Sequence, residues 1–165
     1  MMLPDAQTLI ETLAERMRGE LAPDTALVGI LTGGVWLAER LHAMLGIEVP
    51  LGVIDISFYR DDYGARGLHP NPKPSSMPFD VAGRPIVIVD DVLYTGRTIR
   101  AALNELFDYG RPARVDLAVL VDRGGRELPI CARYCAHTLT LERGRNLRLE
   151  KDAQDRLRLR LLDHA

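Results

Sequence analysis

Residues 85–102 read PIVIVDDVLYTGRTIRAA, and the order of these residue types decides the fold. Ile86, Val87, Ile88 and Val89 form an unbroken apolar run, as expected of a strand buried on both faces. The run ends in two carboxylates, Asp90 and Asp91. A short loop leads through Val92, Leu93 and Tyr94 to Thr95, Gly96, Arg97 and Thr98. Beyond it Ile99, Ala102, Leu103, Leu106 and Phe107 recur at the spacing of one helix face. The N-terminus of such a helix offers unpaired N–H groups and the positive end of a dipole, which suits a phosphate. Gly96 lets the backbone approach that phosphate, and the hydroxyls of Thr95 and Thr98 add donors. Asp90 and Asp91 then stand where sugar hydroxyls can donate to them. The stretch therefore describes a pocket for a ribose 5-phosphate. A plain connection with Thr98 as a helix cap would use the same residues, but two adjacent carboxylates ending a buried strand are costly unless something there needs them. The loop lacks the Gly-Lys-Ser/Thr of a Walker A motif and the GxGxxG of dinucleotide folds.

Composition sets the outer bounds. A chain of 165 residues is the size of one α/β domain with a proper core. Apolar residues make up 47% and charged residues 27%, ordinary proportions that exclude a wholly disordered chain. No run approaches the roughly eighteen apolar residues needed to cross a bilayer. The N-terminus, MMLPDAQTLIETLAERM, is acidic early and amphipathic, unlike a signal peptide. A cytoplasmic protein with no membrane partner is expected. The net charge of −2 gives no global basic field to attract nucleic acid. Only Lys73 and Lys151 among the basic residues are lysine, which codon bias explains about as well as phosphate recognition does. On one strand Cys131 and Cys135 would share a face too far apart for a disulfide, and no Cys/His spacing suggests zinc. Free thiols are expected.

Residues 5–20 read as a helix with Leu9, Ile10, Leu13 and Met17 on one side, stopped by Pro23 and Asp24. Ala26 to Leu31 is a short buried strand. It breaks at Thr32-Gly33-Gly34 and gives way to a helix with Leu37, Ala38, Leu41, Met44 and Leu45 inside. The two glycines permit backbone conformations closed to other residues and can form an anion nest, although a tight turn explains them as readily. Leu51 to Tyr59 is the next strand, followed by Arg60. From Tyr63 to Pro78 the chain is rich in Gly, Pro, Asn and Ser, a length typical of a lid or an inert surface loop; His69, within it, reads as solvated. Val115 to Val121 is a further strand, ending in Asp122-Arg123-Gly124-Gly125-Arg126. In a parallel sheet that end lies on the same side as Asp90 and Thr32, so three loops converge on one edge. From residue 146 to 162 the pattern changes to strict alternation, as in Arg156-Leu157-Arg158-Leu159-Arg160-Leu161, which means an antiparallel hairpin with one wet face.

The stretch VDDVLYTGRTIRA (89–101) resembles the phosphoribosyl pyrophosphate (PRPP) signature of type I phosphoribosyltransferases. It is most similar to the form found in the PyrR family of pyrimidine-operon attenuators and uracil phosphoribosyltransferases. IDISFYRDD (54–62), GRP (110–112) and LAVLVDRGGRELPI (117–130) match the same family in the same order. The resemblance implies one phosphoribosyltransferase domain over residues 1–165: a mostly parallel central sheet flanked by helices, a flexible loop at about 60–78, and a hood made from the N-terminal helix and the C-terminal hairpin. It implies the reaction of uracil with PRPP to give UMP and diphosphate, with Mg²⁺ held through PRPP and through Asp90 and Asp91. On the same resemblance Val92 to Thr98 hold the 5-phosphate and Thr32, Gly33 and Gly34 the diphosphate. Asp122, Arg123 and Gly124 attend the base, and Arg60 arrives with the lid as a catalytic residue.

Three departures from the family pattern bear on function. Ile30-Leu31-Thr32-Gly33-Gly34 stands where relatives have a pattern like IRTRG, so two arginines are missing beside the diphosphate. Gly125 replaces a histidine in DRGHRELP. In the first helix Glu15 and Ala14 stand where the attenuators carry an arginine and a threonine. Weak or absent binding to an mRNA leader is therefore expected, and a homodimer is implied. An RNA-binding regulator using the pocket only as a nucleotide sensor, and a transferase for another base, are the alternative functions.

Overall fold

The computed structural model describes residues 1–57 and 75–163. Helix α1 spans Ala6–Met17, its N-terminus capped by the Asp5 carboxylate, which accepts from the Thr8 N–H at 2.9 Å. Strand β1 (Ala26–Ile30) follows, then α2 (Gly33–Met44) and the short β2 (Gly52–Ile54). Beyond the undescribed stretch come β3 (Pro85–Leu93), α3 (Arg97–Phe107), β4 (Arg114–Asp122) and β5 (Tyr134–Thr138). The chain closes with β6 (Arg145–Lys151) and β7 (Leu157–Asp163).

Strands β1 to β5 form one all-parallel sheet in the order β2-β1-β3-β4-β5. Successive side chains point to opposite faces, and both faces are covered. Leu27, Val87, Val89, Ala118 and Leu120 pack with α1 and α2, while Val28, Ile86, Ile88, Leu117 and Val119 pack with Ile99, Ala102 and Leu106 of α3. This explains why the strands read as continuous apolar runs rather than alternating ones. The type I phosphoribosyltransferase architecture expected from the resemblance, a parallel sheet flanked by helices, is borne out.

The strand order also places the site. From β1 the chain runs outward to β2, whereas β3 lies on the other side of β1. Loops leaving the carboxyl ends of β1 and β3 therefore diverge, and a crevice opens between them, where ligands bind in open α/β sheets.

The hairpin is as expected: β6 and β7 pair antiparallel, with Leu147 opposite Leu161 and Leu149 opposite Leu159. Leu147, Leu149 and Leu157 are buried in the same core as α1 and α2, while Arg148, Arg158 and Arg160 face outward. Helix α1 lies beside β5, β4, α2 and β7, and its Leu9, Ile10, Leu13 and Met17 share one core with Leu147, Leu149 and Leu157 of the hairpin.

Two strand limits also differ. Of the expected strand from Leu51 to Tyr59, the described residues are regular from Gly52 to Ile54, after which the Asp55 carboxylate accepts from the Ser57 N–H at 2.9 Å and turns the chain; Phe58 and Tyr59 lie outside the described residues. Strand β3 runs past the acids to Leu93, so the loop starts at Tyr94. Arg60, His69 and most of the expected lid lie outside the described residues.

Candidate active site

A cleft of about 690 Å³ opens where the switch point predicts it. Its floor is Asp90 and Asp91 at the end of β3, one wall is Thr32, Gly33 and Trp36, and another is Tyr94 and Thr98. Residues Asn146 to Lys151 of β6 form its roof.

The two acids are not equivalent. Asp90 is 7% exposed and accepts the Asp91 N–H at 2.9 Å. Burial, reinforced by the neighbouring Asp91 charge, pushes its carboxyl well above the usual carboxylate range. Asp91 is half-buried and is held from the roof, where its Oδ2 accepts the Leu149 N–H at 3.2 Å. Its Oδ1 accepts from the Val92 N–H at 2.9 Å. One carboxylate thus joins the sheet to the hood.

Gly33 and Gly34 belong to the first turn of α2, and neither has a positive φ. Their conformation is open to any residue, contrary to the sequence expectation, and space is what requires glycine. A Cβ on Gly33 would lie 2.6 Å from Asp91 Oδ2, and one on Gly34 would lie 2.5 Å from the Val89 carbonyl oxygen. Their absent side chains let α2 start directly against both acids.

At the other loop Gly96 has φ 94°, the left-handed region that favours glycine. Gly96 at the N-cap has no side chain to cap α3, and among the described residues the one side-chain acceptor at its start is Thr95 Oγ1, which takes the Arg97 N–H at 3.2 Å. The Thr95 carbonyl accepts from Glu127 and Leu128 N–H groups at 2.9 and 3.1 Å, which braces the loop. Arg97 turns its side chain to Glu127 at 2.8 Å, and the Leu93 side chain is buried in the core, so whatever these two offer a phosphate comes from their backbone, as expected for this loop. Of the hydroxyls Thr98 lines the cleft, as does Val92.

Of the three residues expected to attend the base, only Arg123 lines the cleft. Its guanidinium lies 3.9 Å from the centre of the Tyr94 ring and donates to Asn146 Oδ1 at 3.1 Å and the Arg145 carbonyl at 3.0 Å. Among the described residues its Nε is the buried side-chain polar atom left without a partner. Asp122 instead holds Arg126 at 2.6 Å and the Gly124 N–H at 2.9 Å. Partial burial works against the Asp122 charge, but these two hydrogen bonds win and hold its carboxyl below the usual range. Arg126 also donates to the carbonyls of Tyr94 at 2.7 Å and Ile130 at 2.8 Å, knotting two site loops together. A Cβ on Gly125 would lie 2.4 Å from the Tyr94 ring, so the ring occupies space that a larger residue would claim.

Sequence reasoning missed Trp36 and the bracing role of Arg126. Trp36 was legible: it stands one helical turn after Thr32 in a helix already expected. The hairpin was expected as a hood over the nucleotide, but alternation does not tell which of its residues border the cleft, here Asn146 to Lys151.

The phosphoribosyl transferase domain family matches residues 3–139. A Bifunctional protein PyrR of Pseudomonas paraeruginosa is 48% identical, covering 100% of this chain and 99% of its own. One of Nitrosococcus oceani is 53% identical over 87% of this chain and 82% of its own. This chain belongs to the PyrR family of phosphoribosyltransferases. Among solved structures, a purine phosphoribosyltransferase from Pyrococcus horikoshii has TM-score 0.62 at 29% identity, covering 81% of each chain. A HGPRT-ase from Leishmania tarentolae in complex with GMP has TM-score 0.65 at 18% identity over 86% and 82%, a likeness of fold alone. Membership in the PyrR family was the expectation set by residues 89–101, and it is borne out over nearly the whole chain.

Proposed function

We propose that this PyrR-family chain transfers a 5-phosphoribosyl group from PRPP to uracil, giving UMP and diphosphate. The observation that carries the reading is the meeting, in one switch-point cleft, of paired acids, a helix start with glycine at its N-cap and a glycine turn pressed against those acids. In the reaction the bond from ribose C1′ to the diphosphate oxygen breaks, the bond from C1′ to uracil N1 forms, and N1 gives up its proton. N–H groups of the Thr95 to Thr98 turn hold the 5-phosphate, and Asp90 and Asp91 accept from the ribose hydroxyls. Their negative charge favours the positive charge that grows on the ribose as the leaving group departs. Thr32 to Gly34 bind the diphosphate, and Arg60 completes the site with the lid, whose closure excludes water. Arg123 and the β6 backbone border the base.

Among the described residues no three His, Cys, Asp or Glu side chains cluster as a protein-only metal cage. Two adjacent carboxylates fit a Mg²⁺ that keeps most of its ligands from water and phosphate. Held by Asp90 and Asp91, such an ion would supply positive charge to offset the negative charge of the departing diphosphate.

A purine is the competing base, since a purine phosphoribosyltransferase shares the fold. Nucleotide formation from PRPP with a panel of bases, with and without Mg²⁺, separates the two. UMP formed only with Mg²⁺ supports the proposal; a purine nucleotide alone sinks the uracil assignment, and no nucleotide leaves only the sensor function.

Leader RNA binding is proposed to be weak or absent. Ala14 is buried, Glu15 pairs with Arg18 at 3.0 Å, and Arg16 donates to the Cys135 carbonyl. The hairpin arginines are each engaged by an acid, two to one carboxylate: Arg148 and Arg160 by Glu150, Arg156 and Arg158 by Asp152. A homodimer is proposed on family likeness, to be read by sedimentation velocity. No helix among the described residues is long and apolar enough to cross a membrane.

A further inference from the structure

The loop at the diphosphate end of the cleft, Thr32-Gly33-Gly34, carries no charged side chain, although a diphosphate brings several negative charges. Among the described residues lining the cleft, the cations are Arg123, Arg148 and Lys151. Arg123 is committed to Asn146, the Arg145 carbonyl and the Tyr94 ring. Arg148 gives Nε and Nη2 to Glu150 Oε1 at 2.9 and 2.6 Å, so its guanidinium is committed to an acid that lines the same cleft.

Lys151 differs in both place and partner. Its Nζ lies 5.1 Å from the centre of the Trp36 ring. Trp36 belongs to the turn of α2 that begins at the uncharged loop, its N–H donating to the Thr32 carbonyl at 3.4 Å. The ammonium therefore stands over a ring that belongs to the first turn of α2, and Thr32, Gly33, Trp36 and Lys151 line the same cleft. Its carboxylate contact is Asp155 Oδ1 at 3.4 Å, and Arg40 Nη2 already holds Asp155 Oδ2 at 3.0 Å. Lys151 can leave that contact without stranding a charge. A lysine stem has four rotatable carbons and ends in three donors, enough to swing from one anion to another.

We propose that Lys151, reaching down from the hood, supplies the cation that Thr32–Gly34 lack and binds the diphosphate group of PRPP and of the released product. The proposal rests on the phosphoribosyltransferase reading of the cleft and names the residue that recognises its most anionic ligand. Trp36 beneath the ammonium guides it, because a ring face attracts a cation while leaving its donors free.

The test is calorimetric titration of the full chain with Mg²⁺-diphosphate and, separately, with UMP, alongside the KM for PRPP. Lys151→Met keeps the apolar stem against Trp36 and removes only the charge. Loss of one charge-assisted hydrogen bond is expected to weaken Mg²⁺-diphosphate and raise the PRPP KM about tenfold. UMP, which has no diphosphate, should bind as before, and Lys151→Arg should restore much of the loss. Unchanged diphosphate binding in Lys151→Met overturns the proposal. So does an equal loss of UMP affinity, which would mean that the hood had merely loosened. The titration needs no turnover, so a wild type that binds Mg²⁺-diphosphate but forms no nucleotide defeats the enzymatic reading while the Lys151 comparison still stands. A wild type that does not bind Mg²⁺-diphosphate defeats both.

Discussion

Alanine at Gly33 and at Gly34 should have opposite consequences, although the two positions are adjacent. At Gly33 the new Cβ would meet the Asp91 carboxylate, 2.6 Å from Oδ2 and 3.0 Å from Cγ. A side chain can rotate away, so Asp91 would abandon the Leu149 N–H now 3.2 Å from it, at a cost of about 1 kcal/mol. Alanine regains about 0.5–1 kcal/mol over glycine within a helix, so stability should barely change. The carboxylate would be moved by an ångström or more, a displacement that can cost about a hundredfold in turnover. At Gly34 the Cβ would meet backbone: the Val89 carbonyl oxygen at 2.5 Å and Asp90 Cα at 3.2 Å. Neither can rotate away, so α2 must lift off β3. Overpacking of this kind costs about 1–3 kcal/mol, only partly offset by helix propensity, and each kcal/mol lowers the midpoint of a chain this size by about 2–4 °C. Thermal melts and nucleotide-forming rates of both variants form the assay. Full activity in Gly33→Ala, or a wild-type melting point in Gly34→Ala, would refute the view that these glycines exist to admit the acids.

Three further outcomes follow from the same geometry. Burial and the Asp91 charge raise the Asp90 pKa in the folded chain, so its stabilising share is complete below the unfolded value and is lost as pH rises through the folded one. Asp90→Asn should therefore gain on wild type as pH rises across that window, by at most about 1.4 kcal/mol per pH unit, and a stability difference independent of pH would contradict this. Arg123→Met leaves the Arg145 carbonyl and Asn146 without their partner and should cost about 1–3 kcal/mol, with faster proteolysis of the hairpin; an unchanged melt would show that this guanidinium does not tie down the hood. Titration with the protein's own pyrimidine-operon leader RNA at physiological salt should match a scrambled control, whereas sequence-selective binding strengthened by UMP would show the first-helix substitutions to be harmless.

The parallel sheet was legible because apolar runs such as 86–89 and 115–121 ended in turn residues and were followed by helix-period segments. The paired acids and the loop from Thr95 to Thr98 were legible because few other purposes justify that chemistry at a buried strand end. Other features escaped for physical reasons. Leu93 follows the acids in sequence, but extended geometry continues two residues beyond Asp91, which points its side chain into the core. The glycines at 33 and 34 suggested unusual dihedrals, whereas the constraint is the distance to β3, which only the packed fold defines. Alternating leucines announced the hairpin but could not tell that the Leu149 N–H would reach Asp91, 58 residues earlier in the chain.

The central claim is that one cleft between β1 and β3 binds the nucleotide, and a crystal structure of the chain with UMP tests it most directly. The account predicts the 5′-phosphate on N–H groups of the Thr95 to Thr98 turn, the ribose hydroxyls on Asp90 and Asp91, and the base beneath β6 near Arg123. UMP bound instead among Arg156, Arg158 and Arg160 of the hairpin, or with its ribose away from both acids, would contradict it.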